Sequence, residues 1–385
     1  MDSTITSSSV PKVSVIIPAR NEEANLERCL RSLVVQKGVT FEILVVDDGS
    51  ADRTRDIAES FTRVRSCPFI ALNQDLVDVH VLDAPLPLPE GWTGKANALA
   101  AGEAAARGQW LLFTDADTEH LEGSLAGAVA EAEEHGADLL SYSPEQILTG
   151  VRQQLLMPVI FGELALRYSP RRVNDPALPD AAANGQYLLV RATAQREIGG
   201  FASVAADLLD DVALARRYKQ QGHKIRFRLG RGLVRTRMYG NWEDLRVGWT
   251  KNLPLLFPKP RELARKRMQE FRRLVFSLLV APLWTVFYVS HAGLAGDWFW
   301  PVMIGFFWFF TLLNLASFYT RVARAHFPAG ITLLSIAGLP LFAGLLRESA
   351  KVHEQGTVTW RGRAYNTTGA EVRAIGSNSS ASNSK

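Results

Sequence analysis

This sequence predicts a mostly parallel α/β domain followed by membrane-crossing helices, and three observations predict it. Short runs rich in Val, Ile and Leu alternate with helical periods from Val13 to about Tyr142. Strands apolar on both faces and separated by helices make a parallel sheet covered on both sides. Two of the runs close on acids, Asp47-Asp48 and Asp115-Ala-Asp117, and acids gathered where parallel strands end mark the ligand crevice of an open sheet. Three long apolar stretches then follow, at roughly 274–292, 297–318 and 328–346, each close to the ~20 residues that a bilayer crossing needs.

In chain order, strands are expected at Val13–Ile17, Phe41–Val46, Val77–Leu82, Trp110–Thr114 and Asp138–Tyr142. Between them Glu22–Gln36, Asp52–Phe61, Gly94–Arg107 and Leu121–His135 carry helical periodicity. Residues 151–168 are apolar but too short and interrupted to span a bilayer, which leaves a buried helix or an interfacial one. After Asn184-Gly185 come a short strand at Gln186–Arg191, a helix near Ala192–Ile198, and a helix from about Leu208 to Gln221 that Gly222 ends.

The chain has 385 residues and a net charge of +4. A balance so small gives no sign of a nucleic-acid binder. Its basic residues are unevenly spread. Lys259, Arg261, Arg265, Lys266, Arg267, Arg272 and Arg273 crowd the segment before the first apolar stretch, as a cytoplasmic collar facing anionic lipid does. The cysteines, Cys29 and Cys67, show neither metal spacing nor a disulfide framework, and their sparseness suits a reducing compartment. Met1–Val10 is rich in Ser and Thr without an apolar core, unlike a signal peptide. The expected organisation is a disordered residue 1–11 segment, a cytosolic catalytic domain at 12–252 and a basic interfacial linker at 253–273. A membrane region at 274–346 and a tail at 347–385, disordered after about 370, complete it.

Trp284, Tyr288, Trp298, Trp300 and Tyr319 fall near the ends of the apolar stretches, where interfacial aromatics sit. The positive-inside rule gives conflicting answers for the topology. Ala292–Gly296 lacks Lys and Arg and belongs outside, whereas Arg321 and Arg324 belong inside. Three crossings would then put the tail outside, yet Arg347, Lys351, Arg361 and Arg363 argue for the cytoplasm. Pro340 and neighbouring glycines weaken the third stretch, so a re-entrant hairpin stays open beside a third crossing.

Two carboxylates one residue apart at a strand end, Asp115 and Asp117, suit a hard divalent cation that keeps places for substrate phosphates. Lys95 follows Gly94 at a helix start, where an ammonium adds to a dipole already favourable to phosphate. Each feature by itself also fits a solvated turn, a helix cap or a surface lysine.

Together they carry a resemblance. Val13-Ser-Val-Ile-Ile-Pro-Ala-Arg-Asn-Glu-Glu23, Val45-Val-Asp-Asp-Gly-Ser-Ala-Asp52, Asp115-Ala-Asp117 and Leu209-Asp-Asp-Val-Ala-Leu214 resemble, in order and spacing, the motifs of family-2 glycosyltransferases. Trp92-Thr-Gly-Lys-Ala-Asn-Ala-Leu99 and Gly356-Thr-Val-Thr-Trp-Arg-Gly-Arg-Ala-Tyr365 are similar to its membrane-bound, lipid-glycosylating branch, which includes ceramide, carotenoid and hopanoid-associated enzymes. The resemblance covers residues 12–252 closely and the membrane region loosely. It implies the GT-A nucleotide-diphospho-sugar transferase fold and an inner-membrane, multi-pass protein with its catalytic domain in the cytoplasm. It also implies transfer of one sugar from a nucleotide donor, a UDP-sugar, to a hydroxyl of a membrane lipid, with Mg²⁺ or Mn²⁺ as cofactor.

Carried onto this sequence, the resemblance has Pro18, Arg20 and Glu22 lining the nucleotide pocket, with Arg20 meeting phosphate. Asp48 takes the N–H of a uracil ring, its neighbour Asp47 being left to ribose or to backbone N–H groups. Lys95 meets the diphosphate. Asp115 and Asp117 hold the cation, Asp115 also reaching the donor. Asp211 is the general base and Asp210 its partner, in the place usually held by Glu; a helix cap is the plain alternative for both. Asn184 and Gly185 line the acceptor side, and Trp249 stacks on the acceptor or packs in the core. The Gln-x-x-Arg-Trp element of processive relatives is absent from Arg237–Asn252, which speaks for single transfer. A polyprenyl-phosphate sugar synthase and a catalytically silent membrane scaffold are the competing readings.

Overall fold

The computed structural model describes residues 10–62, 77–290, 298–360, 363–366 and 373–374, with side chains as far as Gly356. The expectations for residues 1–9, Cys67, the Ala292–Gly296 link and the end of the tail lie outside these residues. Packing divides the chain into two units. The first comprises the chain up to Ile147, Pro170–Met238 and the stretch from Gly356; the second comprises Leu148–Ser169 and Tyr239–Gln355.

The first unit opens with β1 (Val13–Ala19), α1 (Leu26–Val34), β2 (Phe41–Asp47), α2 (Thr54–Thr62), β3 (Asp78–Asp83), α3 (Gly94–Ala105) and β4 (Trp110–Phe113). It continues with β5 (Thr118–His120), α4 (Ser124–Glu134), β6 (Leu139–Ser143) and β7 (Glu145–Gln146). The chain then leaves for α5 (Val151–Arg167) of the second unit and returns for α6 (Pro170–Val173), β8 (Leu188–Arg191), α7 (Ala192–Glu197), α8 (Asp210–Gln220), β9 (Ile225–Leu229) and β10 (Val234–Thr236).

The main sheet has the order β3-β2-β1-β4-β8-β6-β9. Its pairs are parallel except those of β8, which runs antiparallel to β4 and β6. The mixed α/β fold agrees with the periodicity: Val13, Val15, Ile17, Ile43, Val45, Leu112 and Leu189 are wholly buried between the helical layers. Successive crossovers place β2 on one side of β1 and β4 on the other. A crevice therefore opens beyond the C-terminal ends of these three strands, where Ala19, Asp47 and Phe113 hand over to Arg20, Asp48 and Thr114. A second, small sheet joins β10 to β5 and β7. It brings Thr236 beside Thr118.

One helix start differs from the periodicity. Helix α1 begins at Leu26 instead of Glu22, because Asn21 adopts φ +53° and the Glu22 carbonyl takes the N–H of Asn25 and Leu26 in a turn. Helix α3 lies hard against β1. A Cβ on Gly102 would stand 2.4 Å from Ile16 Cγ2, so only glycine permits that approach.

The second unit comprises α5, α9 (Trp242–Leu256), α10 (Pro260–Ser290), α11 (Phe299–Ala323), α12 (Ala329–Leu334), a 3₁₀ turn at Ser335–Ala337 and α13 (Gly338–Glu354). Of the two possibilities for residues 151–168, packing favours burial: Leu156, Met157, Val159, Ile160 and Glu163 of α5 are covered. Helix α9, grouped by the sequence with residues 12–252, packs in this unit, and the basic 260–273 stretch is the first half of α10. Three helical segments are long and apolar enough to cross a membrane by length and composition: Pro260–Ser290, Phe299–Ala323 and Ala329–Glu354. After Gly356 the backbone forms a three-stranded antiparallel sheet of β11 (Thr357–Trp360), β12 (Arg363–Asn366) and β13 (Arg373–Ala374).

Candidate active site

Helix α3 delivers the central cation of the site. Thr93 caps it, its hydroxyl accepting the Ala96 N–H at 3.1 Å, and this sets Lys95 in the first turn. The Lys95 ammonium lies 2.7 Å from Asp115 Oδ1. Burial alone would lower its pKa, but the carboxylates of Asp115, Asp210 and Asp211 outweigh that and hold it above the usual lysine value. A lysine so held is a fixed positive charge facing the strand ends.

Asp117 has the opposite problem. Burial and the neighbouring charges of Asp115 and Glu22 push its carboxyl up to about 7, against the pull of Lys95 and a hydrogen bond with Thr236. Gln186 donates from Nε2 to Asp117 Oδ1 at 3.4 Å and to Thr236 Oγ1 at 2.9 Å. Among the described residues no three His, Cys, Asp or Glu side chains converge to hold a metal ion. Asp115 and Asp117 are by themselves the kind of oxygen donors a hard cation takes when substrate phosphate and water complete its shell. An ion there would relieve the repulsion that raises Asp117.

Across from Lys95 stand the acids that open α8. Asp211 is held by the backbone: Gly185 N–H donates to its Oδ2 at 2.8 Å and Val212 N–H to its Oδ1 at 2.7 Å. Even so, burial and Asp210 push it up to about 6, opposed by Lys95 and these two N–H groups. Asp210 Oδ1 accepts the Asp211 N–H at 2.9 Å, but the N-cap position of α8 is Leu209 and no side chain caps the helix, so neither acid fills the cap role. Gly185 is packed between the two charges. A Cβ there would lie 3.2 Å from Lys95 Nζ and 3.5 Å from Asp211 Oδ2. Asn184 is fixed through its backbone, its N–H donating to Ser141 Oγ at 2.8 Å.

The base end of the crevice is built on β1 and β2. Asp47 serves the turn, accepting from Ser50 N at 3.2 Å and Ser50 Oγ at 2.5 Å, while Asp48 is buried at 4% exposure. Arg20 follows β1, donates to the Asp48 carbonyl, and has its guanidinium 3.8 Å from the Asp48 carboxylate. Its Nε is buried with no hydrogen-bond acceptor among the described residues. Glu22 accepts from Asn25 Nδ2 at 2.9 Å, and Pro18 is the next-to-last residue of β1. Trp249 belongs to the second unit, where it is 4% exposed and meets Phe161 edge-on at 6.1 Å.

The first unit thus brings Lys95, Asp115, Asp117, Gly185, Asp210 and Asp211 together around one charge. Two partners of Asp117 escaped the sequence. Gln186 adjoins the Asn184-Gly185 pair and could have been read with it. Thr236 left no signal, because it arrives through pairing of β10 with β5, far apart in the chain.

Residues 14–182 match the family model described as Glycosyl transferase family 2. The chain carries a family-2 glycosyltransferase domain. Over 250 residues it is 28% identical to a 4,4'-diaponeurosporenoate glycosyltransferase of Staphylococcus aureus (strain MRSA252), a match covering 63% of this chain. The chain spans about 60% of the length of that relative. Among solved structures it is similar to the mannosyltransferase PcManGT of Pyrobaculum calidifontis in complex with GDP-Man and Mn²⁺. The TM-score is 0.51 at 16% identity, over 90% of this chain and 87% of that one. It also matches S. aureus TarS 1-349 in complex with UDP-GlcNAc at a TM-score of 0.43 and 16% identity, over 95% of this chain and 99% of that one. The glycosyltransferase domain has the GT-A fold, and its Asp115–Asp117 pair closes the central strand β4.

Proposed function

We propose that this protein is an inverting glycosyltransferase that moves one sugar from a nucleotide-diphosphate donor, a UDP-sugar, to a hydroxyl of a membrane lipid. The observation that carries the reading is Lys95. This half-buried cation is shared by Asp115 and by the Asp210–Asp211 pair, with a glycine leaving room between it and Asp211. That is the charge pattern of a site where a diphosphate departs on one side and a proton is taken on the other.

In this reading Asp48 accepts the ring N–H of the base and the Arg20 Nε–H is a donor left for phosphate. Lys95 holds the diphosphate. A Mg²⁺ or Mn²⁺ ion held by Asp115 and Asp117 would neutralise, as a Lewis acid, the charge gathering on the nucleoside diphosphate. Asp211, raised to about 6, accepts the acceptor's proton near neutral pH. The acceptor oxygen bonds to C1 as the C1–O bond to diphosphate breaks, and one displacement inverts the anomeric centre. The Gly185 and Val212 N–H groups keep the carboxylate aimed while its charge changes.

A phosphate acceptor, as in a polyprenyl-phosphate sugar synthase, is already an anion and needs no such base, so the raised Asp211 favours a hydroxyl. Similarity to an enzyme named for 4,4'-diaponeurosporenoate supports an apolar, lipid-like acceptor. The apolar helices of the second unit support a membrane protein, and the basic residues ahead of the first of them support a catalytic domain on the cytoplasmic side. The test incubates purified protein, Mn²⁺ or Mg²⁺, a panel of labelled nucleotide sugars and a membrane lipid extract. A labelled lipid stable to mild acid is expected. Label only in an acid-labile phosphodiester would move the assignment to the polyprenyl-phosphate class, and no transfer from any donor by folded protein would sink the enzyme reading.

A further inference from the structure

We propose that the third apolar segment, Ala329–Glu354, enters and leaves the bilayer from one face. The chain then crosses twice, and the residues after Glu354 lie on the side where α10 begins. The inference rests on reading α10 and α11 as crossings.

Two sets of contacts inside the second unit carry it. The first is a buried charge quartet joining α5, α10 and α11. Glu163 lies 2.8 Å from Arg267 and 3.0 Å from Arg321, and Glu270 lies 2.9 Å from Arg267 and 2.8 Å from Arg321. It fixes the end of α11 beside residues 267–270 of α10. Charges are costly in hydrocarbon, so the quartet marks the polar limit of both helices. From Glu270 to Ser290, α10 advances about 30 Å at 1.5 Å per residue, one bilayer core. Helix α11 brings the chain back over the same distance.

The second set ties down the segment that follows. At its start, the Tyr319 hydroxyl donates to the Leu333 carbonyl at 2.8 Å, close to the quartet. At its end, Glu354 pairs with Arg261 and Glu348 with Arg246. Ser349 Oγ donates to the Thr250 carbonyl at 2.8 Å, and a ring nitrogen of His353 lies 2.9 Å from the Lys251 carbonyl. Thr250 and Lys251 are on α9, and Arg261 opens α10. A third crossing would leave Glu354 beside Ser290 or Phe299, at the far end of these helices. Instead it sits with Arg261, nine residues before Glu270, about 14 Å further from the hydrocarbon.

Burial agrees. The most apolar windows of α10 and α11 are 11% buried by protein, whereas that of the third segment is 39% buried. The part left uncovered is short: Leu333 and Leu334 on α12 are 64% and 61% exposed. On α11, Leu312 and Leu313 are likewise 60% and 53% exposed. The occupant of the uncovered part is the acyl layer of the leaflet facing the basic half of α10. The segment dips in at α12, turns at Ser335–Ala337 and leaves along α13. The Arg and Lys of the tail then fall on the positive side without a third crossing.

The test uses single cysteines in a C29S/C67S background: R265C at the start of α10, W298C before α11, and K351C or Q355C at the end of the third segment. Sealed vesicles of both orientations are treated with a membrane-impermeant maleimide. Gln355 and Lys351 positions labelling in the same vesicles as position 265, and not with position 298, is the expected result. Positions 351 and 355 labelling with 298 would overturn the re-entrant segment alone. Positions 265 and 298 labelling from one face would overturn the crossing reading beneath it, and the inference with it.

Discussion

Asp211 offers the sharpest handle on the chemistry, because one substitution reports on catalysis and stability at once. Its carboxyl is raised from the ordinary 3.8 to about 6 by burial and by Asp210. A raised acid favours folding in its protonated form. The stabilisation is fully present below about pH 3.8 and is lost as pH rises through about 6. At about 1.36 kcal/mol per pKa unit the whole effect approaches 3 kcal/mol, an upper bound because the carboxyl keeps some solvent contact. Between pH 5 and 8 roughly 1.4 kcal/mol of it disappears. In Asp211→Asn this pH dependence is gone. The variant keeps one of the two oxygens that accept the Gly185 and Val212 N–H groups, so it loses about 1–3 kcal/mol at every pH. Melting wild type and variant in detergent at pH 5 and pH 8 should therefore show the variant gaining a few degrees on wild type at the higher pH. Turnover should fall by about 10²–10⁴, and the acid limb of kcat/KM near pH 6 should vanish. An Asp211→Asn enzyme with wild-type turnover and an unchanged acid limb would refute the assignment of Asp211 as base.

Replacing Gln186 by Leu removes the donor that orients Asp117 Oδ1, so Mn²⁺ binding followed by electron paramagnetic resonance should weaken about 10–100-fold; unchanged affinity would remove the cation from this pair. Gly185→Ala puts a Cβ 3.2 Å from Lys95 Nζ and displaces the ammonium by a few tenths of an ångström. A fall of about tenfold or more in kcat/KM, with melting temperature held, is expected. Arg321→Met leaves Glu163 and Glu270 to share Arg267, which should cost about 3–5 kcal/mol in stability, and adding Glu270→Leu should restore part of it. Equal melting temperatures for Arg321→Met and wild type would show that the quartet does not hold these helices.

Apolar runs and periodicity placed β1, β2, β4, α3 and α8 within a few residues, because each element buries a face that its own sequence spells out. The strand-end acids were legible for the same reason, since a parallel sheet must put its loops at one edge. Which acid does what was less legible. Asp47 and Asp48 are adjacent in sequence and both buried, and only the fold shows that Asp47 is taken by the Ser50 turn while Asp48 lies beside Arg20. Thr236 reaches Asp117 through pairing between strands distant in the chain, for which no local pattern exists. Trp249 shows another limit: its residue type left an acceptor platform and a core position equally open, and only the fold shows it buried edge-on against Phe161.

By itself the sequence determined the α/β domain, its charged crevice and the apolar character of the last helices, all consequences of residue type and spacing. Tertiary structure alone decided that Lys95 faces three acids, that Gly185 stands between Lys95 and Asp211, and that Glu354 returns to Arg261. Charge effects act through distance in space, and the chain brings these groups together only once it is folded.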